Sequence, residues 1–94
     1  MVYVISKLDV LQNEVSIISV VFYDTVEPFL QAYKCMLDSC REYLTDPNYS
    51  LKIINDSRVL VYRKGYLGST LEYVYEINSH GAKDNDKTEE NSEA

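Results

Sequence analysis

The chain has 94 residues, of which 46% are hydrophobic, and a formal net charge of −6. This length holds one domain, and the hydrophobic share is that of a globular chain rather than a disordered one. The acidic balance argues against attraction to nucleic acid or to an anionic membrane as the main mode of binding.

The first part of the sequence predicts two strands joined by a polar turn. Val2–Ile5 is rich in β-branched and aromatic residues, and Val15–Tyr23 is the strongest strand signal in the chain. Simple alternation divides this second strand into one face with Val15, Ile17, Val21 and Tyr23 and another with Ile18, Val20 and Phe22. Because a half-exposed strand alternates polar with apolar residues, both faces of this strand are expected to be covered.

An apolar stripe at helical spacing predicts a helix from about Val26 to Leu44. The residues of the stripe step alternately by four and three, and they are Val26, Leu30, Tyr33, Leu37, Cys40 and Leu44, with Phe29, Met36 and Tyr43 widening it. Asp24 or Thr25 is expected to cap the start, and Pro28 fits the first turn, where its missing N–H costs little. A turn cluster at residues 45–48 ends the helix.

Three further strands are predicted at Ser50–Ile54, Arg58–Lys64 and Ser69–Ile77. In the last of them, alternation places Leu71, Tyr73, Tyr75 and Ile77 on one face and Thr70, Glu72, Val74 and Glu76 on the other. The predicted fold is therefore α+β, in the order β-β-α-β-β-β, with one mostly antiparallel sheet and a single amphipathic helix packed on one face. Since one helix covers only part of five strands, the other face or an edge is left for a partner.

The domain is predicted to span residues 1–81, followed by a disordered acidic tail over residues 82–94. The tail carries a net charge of −3 and no apolar residue larger than alanine, so it cannot repay the entropy of folding. The N-terminus shows no secretory leader, and the longest apolar stretch is far too short to cross a membrane. A cytoplasmic location is expected.

The sequence offers no recognisable set of residues for catalysis or for a cofactor. His80 is the only histidine, which argues against a histidine-based triad or a multi-histidine metal site within one chain. Cys35 and Cys40 lie on one predicted helix and point about 140° apart, so they cannot bond to each other. No glycine-rich phosphate-binding motif is present. The expected protein is not an enzyme and holds no metal or cofactor.

A protein-interaction module is the expected function, either self-associating or binding another protein. The candidate interface residues are Val15, Ile18, Val20, Phe22, Tyr73, Tyr75 and Cys35. The tyrosines are included because tyrosine is favoured in contact surfaces. Cys35 is included because it lies nearly opposite Tyr33 on the helix and is expected to face water, although an ordinary surface thiol is the simpler interpretation.

The alternative function is binding of nucleic acid by the second half of the chain. Its candidate residues are Lys52, Arg58, Tyr62, Arg63, Lys64 and Tyr66. Aromatic side chains interleaved with basic ones can stack on single-stranded bases and pair with phosphates. A hairpin with charged ends and amphipathic tyrosines explains the same residues without any ligand.

The order of elements also resembles a known group of proteins. An N-terminal hairpin, a helix whose start is marked by Asp24–Glu27, the strand Ser50–Ile54 and tyrosine-rich final strands together resemble small uncharacterised proteins of large double-stranded DNA viruses. The resemblance covers residues 2–77 and rests on composition and element order. It implies an accessory or structural viral protein that acts by binding, and it carries over no functional residue.

Overall fold

The computed structural model, which describes residues 1–81, contains a five-stranded antiparallel sheet and two helices. The strands are β1 (Val2–Asp9), β2 (Glu14–Phe22), β3 (Tyr49–Asn55), β4 (Arg58–Gly65) and β5 (Gly68–His80). The helices are α1 (Pro28–Ser39) and α2 (Glu42–Thr45). The predicted α+β class is confirmed, and the predicted tail over residues 82–94 lies outside the described residues.

The strands are arranged in the order β2-β1-β5-β4-β3. The first and last strands of residues 1–81 pair at the centre of the sheet, with Ile5 opposite Ile77 and Val2 opposite His80. This pairing continues to the start of β1 at Val2. As a result, β5 extends three residues past its predicted end at Ile77. The two edges of the sheet are β2 and β3.

Two helices take the place of the single predicted helix. Ser39 Oγ donates a hydrogen bond to the Cys35 carbonyl at 2.8 Å, and Cys40 Sγ lies 3.3 Å from the Met36 carbonyl oxygen. Side-chain bonds of this kind to the carbonyl four residues earlier bend helices. The bend separates α1, which packs on β1, β2 and β5, from α2, which packs on β3. Within residues 1–81 neither helix is long enough to cross a bilayer.

The start of α1 also differs from the prediction. Glu27 precedes the helix in the left-handed conformation, with φ 48°, and no side chain caps the first turn. Pro28 disfavours the right-handed helical conformation at the residue before it, so the helix begins at Pro28 and does not extend back to Val26. The predicted caps Asp24 and Thr25 therefore lie in the connection from β2, as does Val26.

The buried face of α1 is rotated from the predicted stripe. Ala32 and Met36 have no exposed surface, whereas Leu30, a residue of the stripe, is 41% exposed. Because Ala32 carries only a methyl group, the helix can approach the sheet closely along the side that it shares with Met36. Cys35 consequently lies half-buried against the core, and the prediction that it faces water is wrong.

The core lies between the helices and one face of the sheet, named here the core face. Its strand residues alternate with residues that point the other way. The buried set is Ile5, Val21, Ala32, Met36, Cys40, Tyr43, Val59, Val61, Tyr75 and Ile77. The opposite side of the sheet, which contributes none of the buried strand residues of this set, is named the open face.

Candidate functional site

A β-bulge in β2 decides which of its side chains reach the open face. Ile18 has no partner in the pairing with β1, so the alternation of faces shifts by one residue there. Ile18 and Val21 both turn to the core face, where Ile18 packs against the core. Ile17, Val20 and Phe22 turn to the open face together. The predicted grouping of Ile18 with Val20 and Phe22 is therefore wrong.

The bulge concentrates apolar side chains on the open face of β2. Val15 is 66% exposed, Ile17 61%, Val20 43% and Phe22 61%. These four residues leave on the order of 400 Å² of surface in solvent, a size at which surface patches of monomeric proteins are often functional. Strand β1 continues the same surface with Val2, Val4 and Leu8, which are half-buried. The apolar patch is defined as these seven residues of β1 and β2.

The apolar patch lies at an edge of the sheet that carries no charge. No residue from Val15 to Tyr23 is charged, and Glu14 and Asp24 flank this stretch. The other edge strand, β3, has Lys52 in its centre. Edge strands in proteins are ordinarily protected by such charges, because an exposed uncharged edge can pair with another chain. The edge at β2 lacks this protection.

Two predicted interface residues, Tyr73 and Tyr75, lie on the core face instead. Tyr75 is 1% exposed, and its burial raises the pKa of its phenol. Lys7 Nζ lies 4.1 Å from the centroid of the Tyr73 ring and 3.5 Å from Tyr43 Oη. Tyr75 is therefore unable to touch a partner in this fold, and Tyr73 contacts Lys7 and Tyr43 within the chain. Both residues were assigned to the wrong surface.

A second bulge, in β5, buries the carboxylate of Glu72. Simple alternation had placed Glu72 and Tyr73 on opposite faces of the strand. Glu72 has no partner in β4 and is 5% exposed. Tyr49 Oη donates a hydrogen bond of 2.9 Å to its Oε1, and Arg63 Nε donates one of 2.8 Å to its Oε2. The hydrogen bond from Arg63 holds the pKa of Glu72 below its ordinary value of 4.5, against the opposing effect of burial. No local sequence signal marked this ion pair.

Replacing Glu72 by glutamine should weaken the pH dependence of stability in acid. Because the pKa of Glu72 is lower in the folded than in the unfolded chain, its carboxylate stabilises the fold above the ordinary carboxyl pKa, and this contribution is lost as the pH falls through the folded pKa. Urea unfolding of the variant and the unsubstituted chain at neutral and acid pH measures this contribution to the free energy of unfolding. The exposed Glu14→Gln variant is the control, and equal pH profiles for both variants would contradict the assignment.

The candidate nucleic-acid residues are divided between the two faces. Lys52, Tyr62 and Lys64 lie on the open face, as does Arg58, which forms an ion pair with Glu76. Arg63 lies on the core face and is paired with Glu72. Tyr66, in the turn between β4 and β5, is fully exposed. The open face thus has an apolar side at β2 and β1 and a basic side at β4 and β3.

Three of the predicted interface residues, Val15, Val20 and Phe22, lie together in the apolar patch. Ile17 belongs with them and was not predicted. The sequence signal for it was the pair Ser16 and Ser19, which lie on either side of the bulge and make the other face of β2 less apolar. Comparisons with protein-family models, with curated proteins and with solved structures found no match to the chain. The function is therefore argued from the geometry of this surface.

Proposed function

We propose that this protein is a non-enzymatic protein-interaction module that associates with a second copy of itself through the apolar patch. The observation that carries the proposal is the row of four apolar side chains on one face of the edge strand β2, which has no charged residue from Val15 to Phe22. The proposed surface is the face of the sheet that lies away from the helices. A surface of this kind is most stable when another apolar surface covers it.

The size of the apolar patch predicts a reversible association. Covering the roughly 400 Å² that the four β2 side chains expose in each copy is worth up to about 20 kcal/mol for the dimer at about 25 cal/mol per Å². Association costs about 4–15 kcal/mol in lost freedom of motion, and a standard interface covers about 800 Å² on each partner. The patch alone supplies about half of that area, so we expect a dissociation constant in the micromolar range.

The charge distribution permits two copies to meet at the apolar patch. Residues 1–81 carry ten acidic and seven basic side chains, so two copies repel each other weakly over most orientations. The apolar patch contains no charge, and two copies can meet there without bringing like charges into the contact. A cytoplasmic, reducing location fits this proposal because the contact uses no cysteine.

Sedimentation of the full chain at increasing concentration tests the proposal. The expected result is a monomer that converts reversibly to a dimer across the micromolar range. Added reductant should not change the equilibrium, because Cys40 is buried and Cys35 packs against the core. A monomer at high micromolar concentration would contradict self-association, and a dimer that dissociates on reduction would move the contact to Cys35.

Nucleic-acid binding is the second candidate function, and it has one specific observation in its favour. Lys52, Tyr62 and Lys64 share the open face on neighbouring strands. Arg63, by contrast, is held by Glu72. Binding of a labelled single-stranded oligonucleotide that weakens steeply with salt and is lost in a Lys52→Ala, Lys64→Ala double variant would support it. The resemblance to viral accessory proteins stays a prediction and adds no residue to either surface.

A further inference from the structure

The backbone N–H and C=O groups of Val20 point away from the sheet at the β2 edge. The Tyr23 N–H donates to the Met1 carbonyl at 3.1 Å, which makes Tyr23 and Met1 a hydrogen-bonded pair of the antiparallel ladder. Hydrogen-bonded and non-bonded pairs alternate, so Val21 also faces β1, whereas the N–H and C=O of Val20 point outward. No strand in residues 1–81 lies on that side of β2.

The regular part of this edge is short, and Val20 stands at its centre. The bulge at Ile18 ends it on one side. On the other side the Phe22 carbonyl already accepts a hydrogen bond of 3.0 Å from the Thr25 N–H. Between the bulge and this turn, Val20 is therefore the residue whose N–H donor and C=O acceptor both point outward.

We propose that β2 pairs antiparallel with β2 of a second copy about a two-fold axis at Val20, which joins the two sheets into one of ten strands. Each Val20 N–H donates to the Val20 carbonyl of the other copy, so the contact is self-complementary. The inference rests on the proposed function and adds the geometry of the dimer. The bulge and the turn confine the pairing to a few residues, which favours a dimer over longer edge-to-edge assembly.

Charge and side-chain shape favour a second copy in this register. With the axis at Val20, and with the unpaired residue Ile18 left out of the count, Asp24 of one copy lies opposite Val15 of the other and Phe22 lies opposite Ile17, so no like charges face each other. The two Val20 side chains then meet on the open face, and Phe22 of each copy reaches Val20 of the other along the diagonal. Val20 and Phe22 of each copy are thereby partly covered by side chains of the other copy.

Amide hydrogen exchange of the full chain tests the pairing directly. Exchange of the Val20 amide should slow progressively as rising concentration converts monomer to dimer, whereas exchange of the Val21 amide, which is bonded to β1 in either state, should not depend on concentration. A dimer in which the Val20 amide exchanges as fast as an exposed amide would overturn the edge pairing and leave self-association intact. A chain that is monomeric at every concentration would overturn both proposals.

A backbone substitution provides an independent measurement. Val20→Pro removes the outward N–H and no bond to β1, a position at which edge strands tolerate proline. The loss of two ordinary hydrogen bonds, one per copy, should raise the dissociation constant about thirtyfold. Val20→Thr keeps the N–H and the branched side chain, so it should raise the dissociation constant by a smaller factor than Val20→Pro does. An unchanged dissociation constant for a folded Val20→Pro chain would overturn the inference. If that chain does not fold, the exchange measurement on the unsubstituted protein decides whether the β2 edges pair.

Discussion

Phe22→Asp is expected to abolish self-association, raising the dissociation constant at least about a hundredfold. Phe22 is 61% exposed and is the largest side chain of the apolar patch. The substitution removes its apolar surface from the contact and brings one carboxylate from each copy into it, close to Asp24. Because the side chain lies largely in solvent, the free energy of unfolding of the monomer should change little. Sedimentation velocity measures the association, and urea unfolding measures the stability.

The matched control for this variant is Leu67→Asp. Leu67 is 96% exposed in the turn between β4 and β5, distant along the sheet from β2, and the substitution makes the same change of charge. We expect this variant to associate as the unsubstituted chain does. If both variants weakened the dimer equally, the effect would belong to net charge, and if neither did, the apolar patch would not be the contact.

Met36→Ala is expected to destabilise the fold by about 2–5 kcal/mol, the range for truncating a fully buried methionine. Met36 has no exposed surface and packs between α1 and the core face. Truncation removes its contacts and leaves a cavity that the surrounding side chains fill only in part. The loss is large beside the total stability of a domain of this size, which is about 4–12 kcal/mol.

Leu30→Ala is the comparison that makes the Met36 variant informative. The apolar stripe in the sequence includes Leu30 and has Met36 at its margin, whereas the structure has Leu30 41% exposed and Met36 fully buried. We therefore expect Leu30→Ala to cost less than about 1 kcal/mol, since alanine is also the better helix former. Urea unfolding of both variants measures the difference, and equal losses would contradict the observed rotation of α1.

The candidate surface could be predicted from the sequence only in part. Val15, Val20 and Phe22 were recognised because an uninterrupted apolar strand beside few helices leaves apolar surface without cover. Ile17 was missed and Ile18 was included because strict alternation was applied through the bulge. The same error in β5 placed Glu72 on the wrong face. A bulge depends on pairing with a neighbouring strand, so a single strand read by itself does not indicate it.

The helical or extended character of each segment was determined by the sequence alone, because it depends on local periodicity and on punctuating residues such as Pro28 and the glycines at Gly65 and Gly68. The limits were not: the single predicted helix is two helices, and β1 runs to Asp9 rather than to Ile5. The tertiary structure decided which strands are neighbours and which side chains face solvent. Pairing of β1 with β5 joins residues from 64 positions apart (Asp9 with Tyr73) to 78 positions apart (Val2 with His80), and it leaves β2 at an edge of the sheet, with the side chains of one face exposed. Such pairings depend on contacts between distant parts of the chain, which local patterns do not encode.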